Sequence, residues 1–96
     1  MLFHVTHTHS WESCPYHDPE RATATFGKML AGAADAEAKL VGAWIDAAAH
    51  QIFLVLDADS PTQIEEFLAP VIDVGWAKTR VVGDAMEVVR RRAAGD

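Results

Sequence analysis

Four of the five histidines and the only cysteine fall between positions 4 and 17, as His4, His7, His9, Cys14 and His17. The histidines alternate with threonine in HVTHTH, unlike the unbroken run of an affinity tag. Imidazole and thiolate are the ligands that zinc, copper and iron take from proteins. In a strand, side chains repeat every two residues, so His7 and His9 share a face and can reach one ion. Cys14 adds a thiolate, and His17 or the distant His50 adds a further imidazole. His7, His9, Cys14, His17 and His50 are thus five candidates for the four places of a tetrahedral transition-metal site. Zinc is the default occupant and copper the alternative. The Cys14-Pro15 pair also admits iron or thiolate-ligated haem. With only three ligands, an open position would allow metal-assisted hydrolysis or redox chemistry, so the reading leaves enzyme or binding protein open.

Taken singly, each residue has an ordinary role. A strand histidine is commonly a polar residue with a hydrogen bond, and a lone cysteine is a small buried hydrophobe. The metal reading rests on the cluster. A second reading needs no cofactor: an isomerase-type enzyme whose inward His4 or His7 moves protons in an apolar cavity. Cys14 beside a histidine could act there as nucleophile, although no third orienting group stands out. A third reading is a dimeric ligand-binding or interaction module, with the alanine-rich first helix or the Val88-Val89 stripe as contact surface. Glu12 reads as solvated and Asp18 as a helix cap. Asp46, Asp57 and Asp59 fall at strand ends, where turn chemistry accounts for them.

The elements that must position these groups can be read in order. LFHVTHTH predicts a strand over residues 2–9, rich in β-formers and free of Gly and Pro. Residues 10–18 form a loop around Pro15, with Trp11 and Tyr16 folded back on the body. Asp18, Pro19 and Glu20 are a helix start: cap, preset first residue, acid near the dipole's positive end. Ala22, Phe26, Met29, Leu30, Ala33 and Ala36 then recur at helical spacing. Strands follow at 40–46 and 50–57, the second apolar enough to be covered on both faces. Ser60-Pro61 repeats the cap-then-proline device for a helix with Ile64, Phe67, Leu68 and Val71 inward, stopped by Pro70. A fourth strand over 77–83 and a short helix over 85–94, capped by Asp84, complete the chain.

The order strand, helix, strand, strand, helix, strand in 96 residues is that of one ferredoxin-like α+β domain. Both helices lie on one face of a four-stranded antiparallel sheet. A second copy is the usual cover for the other face, so a homodimer is expected. The opening MLFHV resembles muconolactone isomerase. Trp44-Ile45-Asp46, the hairpin after it, and Asp57-Ala58-Asp59 leading to Phe67 resemble an uncharacterised bacterial family of small dimeric α/β-barrel proteins. The resemblance implies fold and dimer habit and matches no catalytic pair onto this chain.

That topology makes the first and third strands antiparallel neighbours, which brings His7 and His9 beside His50. The loop with Cys14 and His17 leaves from the same end, where Trp44 and Trp76 also belong. Composition narrows the partners. Eight basic against fourteen acidic residues give a net charge of −6, which argues against nucleic acid. No apolar stretch reaches a membrane span. Met1 is followed directly by Leu-Phe-His-Val with no basic leader, and a lone Cys14 forms no internal disulfide, so a cytoplasmic setting is expected.

Overall fold

The computed structural model describes residues 1–95. β1 (Leu2–Thr8) leads through a loop to a helical segment, α1, that starts at Pro19–Ala22. It passes through a π-turn at Thr23–Gly27 and regular helix at Lys28–Ala31 to a 3-10 turn at Gly32–Asp35. β2 (Lys39–Asp46) and β3 (Gln51–Asp57) form a hairpin. Next come α2 (Pro61–Leu68) with a 3-10 turn at Ala69–Val71, β4 (Trp76–Val82) and α3 (Ala85–Ala93). The sheet order is β2-β3-β1-β4 with every pair antiparallel, which is the ferredoxin-like arrangement. No helix among the described residues is long and apolar enough to cross a membrane.

Alternation builds the core. Phe3, Val5 and His7 of β1 meet Leu56, Leu54 and Ile52 of β3 in register, all on the helix side. Met29 of α1 and Ile64 and Phe67 of α2 close over them. Each large apolar side chain fully buried here contributes about 1.5–3 kcal/mol.

Local signals were followed unevenly. Asp18 Oδ1 accepts the Arg21 N–H at 3.1 Å, and Asp84 Oδ1 the Glu87 N–H at 3.1 Å, so both caps form. Ser60 makes no side-chain cap. Gln63 Oε1 instead reaches back to accept the Asp59 N–H at 2.8 Å. In α1 the π-turn winds more slowly than an α-helix, shifting which residues face inward. Thr25 is buried, its hydroxyl donating to the Arg21 carbonyl at 2.7 Å, and Leu30 points to solvent.

β3 is covered on one face only. Gln51, Phe53 and Val55 lie half-buried on the opposite face, where no helix packs. Leu2, His4 and Thr6 of β1 share that face, as do Trp44 of β2 and Trp76, Lys78 and Arg80 of β4. The Trp44 indole lies across Gly42, where an added Cβ would meet the ring, so glycine lets it lie flat on the sheet.

Candidate metal centre

The site is assembled from three separate segments. His9 follows β1 directly and continues its inward face, so it is buried like Val5 and His7. Gly75 holds it from the far side. At φ +74° it packs so closely that a Cβ there would sit 2.0 Å from the Thr8 carbonyl oxygen and 2.8 Å from His9. His50 ends the β2–β3 turn. Asp46 Oδ1 accepts the Ala49 N–H at 3.1 Å, and His50 itself takes φ +54°, in the left-handed region. Histidine tolerates that region better than β-branched residues, at a cost of order 1 kcal/mol. His50 is therefore a turn residue and not the first residue of the strand.

Cys14 comes from the loop after β1. Its conformation is set by two turns, the Ser13 N–H donating to the Ser10 carbonyl at 3.2 Å and the Asp18 N–H to the Pro15 carbonyl at 2.9 Å. Pro15 is buried and Cys14 half-buried. The donor atoms of His9, Cys14 and His50 all lie within 4.8 Å of one another. A tetrahedral zinc at about 2.0–2.3 Å from its ligands sets donors roughly 3.3–3.8 Å apart.

Of the five residues singled out by type and spacing, the fold brings these three together. His7 lies one step deeper on β1, its ring centroid 6.0 Å from that of His9, and stands outside the set. It faces a separate small cavity with Glu65, Leu68 and Trp76. His17 is exposed on the loop, edge-on to Tyr16 at 4.9 Å. His4 is on the opposite sheet face, beside Phe53.

The electrostatics favour neutral imidazoles. Burial pushes His9 below 6.5, and the like charges of His50, His7 and Arg21 add to this. His7 is likewise lowered by burial, partly offset by the Val71 and Val74 carbonyls that lie towards its ring. Those carbonyls close no hydrogen bond of good geometry, so both nitrogens of His7, like both of His9, are buried without a partner among the described residues. An orphaned buried polar atom costs about 1–3 kcal/mol. The Phe26 ring, placed by the π-turn, meets His7 edge-on at 5.2 Å and His9 at 5.6 Å, and offers these nitrogens no hydrogen bond.

His9, Cys14 and His50 open onto a cavity of about 450 Å³ walled by Trp11, Pro15, Tyr16, Phe26, Ile45 and Ile52. Trp11 and Tyr16 line it while remaining about three-quarters exposed, so they form its outer rim and are not folded back on the body. Neither Trp44 nor Trp76, expected at this rim, lines it. Ile45 and Ala47 of the hairpin do. Their part was hidden in the sequence, because the AAAH turn carries no glycine or asparagine signature to fix its geometry.

The sequence matches the family described as "Domain of unknown function (DUF3303)" over residues 1–95, and the chain belongs to that family. No curated protein matches it.

Proposed function

We propose that the protein binds a transition metal through His9, Cys14 and His50 and presents it to a small apolar ligand in the adjoining cavity. The convergence of three donors from three segments on one apolar cavity carries this reading. His9 supports it further: it is neutral near pH 7, as metal binding requires, and its nitrogens have no other partner. Two imidazoles and one thiolate suit zinc with one position open, or a trigonal copper site. When bound, the ion would supply Lewis acidity or a redox centre at that position. The chain's own residues carry the donors, and Phe26, Ile45 and Ile52 give the cavity beside them an apolar lining. His7 and His17, also weighed as ligands, are second-rank candidates. The likeness to muconolactone isomerase contributes fold and dimer habit and no catalytic residue.

The test is metal titration of the chelator-treated full chain, with Cys14 alkylation as a parallel readout. One equivalent of zinc or copper should bind and protect Cys14. Cys14→Ser and His50→Ala should each weaken binding strongly, with circular dichroism unchanged. Absence of binding, or binding indifferent to both variants, would overturn the reading. In that case the orphaned nitrogens of His9, facing a cavity large enough for a small molecule, favour a cofactor-free acid–base site.

A further inference from the structure

Alternation along β1 sends His7 into the core, level with Ile52 of β3 and Ala77 of β4. It is 2% exposed, and neither ring nitrogen has a hydrogen-bond partner among the described residues. The segment that covers it runs from the end of α2 to β4. There the Ile72 N–H donates to the Ala69 carbonyl at 3.3 Å and the Val74 N–H to the Val71 carbonyl at 3.0 Å. These turns bury Val71 and Val74 and bring both carbonyls towards the His7 ring.

Hydrogen-bonding capacity decides what can satisfy that ring. A neutral imidazole offers one N–H and one lone pair. The two carbonyls are acceptors, so they can answer only the N–H. Whichever nitrogen is unprotonated presents a lone pair that no described donor meets. His7 faces a cavity of about 150 Å³ walled by Leu68, Val71, Ile72 and Ala77. Glu65, one turn before Leu68 on α2, is the only acidic or basic residue lining it among the described residues. Glu65 is exposed, and none of the ion pairs in the described chain involves it.

We propose that this second cavity binds a short primary alkylammonium ion. An ammonium group carries three donors and no acceptor. It is matched by the Glu65 carboxylate, the lone pair of His7 and the Val71 carbonyl, all of which accept. The alkyl chain lies on the apolar walls at Leu68 and Ile72. A cavity of this volume holds a benzene-sized molecule, so a chain of about three to five carbons fits. An anion is disfavoured twice, because Glu65 repels it and it brings no donor. A neutral alcohol brings one donor and gains nothing from the charge of Glu65. The net charge of −6 also favours approach of a cation. This cavity shares no lining residue with the one at His9, Cys14 and His50, so the site stands whether or not those residues hold a metal.

The test is NMR of the full chain carrying ¹³C-labelled histidine, titrated with propylammonium chloride at constant ionic strength. At about pH 8 the imidazole is neutral and the amine charged. The His7 ring signal, assigned by its loss in His7→Leu, should shift and saturate. Propanol should bind at least about tenfold more weakly, and propionate should leave the signal unmoved. Glu65→Gln should weaken propylammonium binding at least about tenfold, with circular dichroism unchanged because the residue is exposed. A His7 signal that does not saturate overturns the proposal. So does equal binding of propanol, or indifference to Glu65→Gln. Shifts confined to His9 and His50 would put the amine in the larger cavity and overturn it as well.

Discussion

The backbone N–H of His9 donates to the carbonyl of His50 at 3.1 Å. This bond extends the β1–β3 ladder one step beyond the strands and into the left-handed turn. It fixes two imidazoles from opposite halves of the chain with ring centroids 5.3 Å apart. The loop bearing Cys14 starts from the same His9, so the third donor is tied to the same point.

The φ of +54° at His50 allows its proposed role as a ligand to be tested apart from its effect on stability. Glycine adopts this region freely. His50→Gly should leave the metal-free protein as stable as the wild type, or more stable by up to about 1 kcal/mol, while abolishing tight metal binding. Thermal melts with and without zinc would show this: the zinc-induced rise in Tm disappears and the baseline Tm does not fall. A substantially lower baseline would mean that the His50 ring packs for stability.

Gly75→Ala should be among the more damaging single changes in the chain. Its Cβ would collide with backbone at Thr8 and His9, and its φ of +74° disfavours any side chain. A loss of about 2–4 kcal/mol in urea unfolding is expected. Gly95→Ala is the control, because φ there is also positive but nothing lies within 4 Å. It should cost about 1 kcal/mol or less.

Stability of the metal-free protein should fall as the medium is acidified below pH 6.5. Burial depresses the titration of both His7 and His9 below 6.5 in the folded state. The unfolded chain therefore binds protons first, and stability rises with pH through that window. It is fully present above 6.5 and is lost progressively as pH falls through the folded values. Urea midpoints at pH 7.5 and 5.5 would register the difference, and His7→Leu should reduce the slope. A midpoint that rose on acidification would contradict the assignment.

Trp11 and Tyr16 should matter for a cavity ligand and little for folding. Both are about three-quarters exposed, so Trp11→Ala and Tyr16→Ala should shift stability by no more than about 0.5 kcal/mol. Fluorescence titration with a hydrophobic probe should show weaker binding in both. Unchanged binding would move the ligand away from this cavity.

Much of this was legible from the sequence, because it depends on periodicity and local chemistry. Alternation in LFHVTHTH set Phe3, Val5, His7 and His9 on one face, and Asp18-Pro19 fixed the start of α1. The order of elements was enough to make β1 and β3 antiparallel neighbours, and so to bring His9 to His50. Tertiary structure alone decided which of the five candidate residues come together, bringing His9, Cys14 and His50 within reach of one another. His7 shares a strand face with His9, yet a two-residue step along a strand carried it deeper, towards the Val71 and Val74 carbonyls. His17 fell on the exposed part of a loop whose path is set by the turns at Ser10–Ser13 and Pro15–Asp18. The left-handed His50 and the π-turn that aims Phe26 were invisible because neither has a compositional signature. Periodicity specifies which face a residue occupies; only packing specifies how deep on that face it lies and which distant backbone it meets.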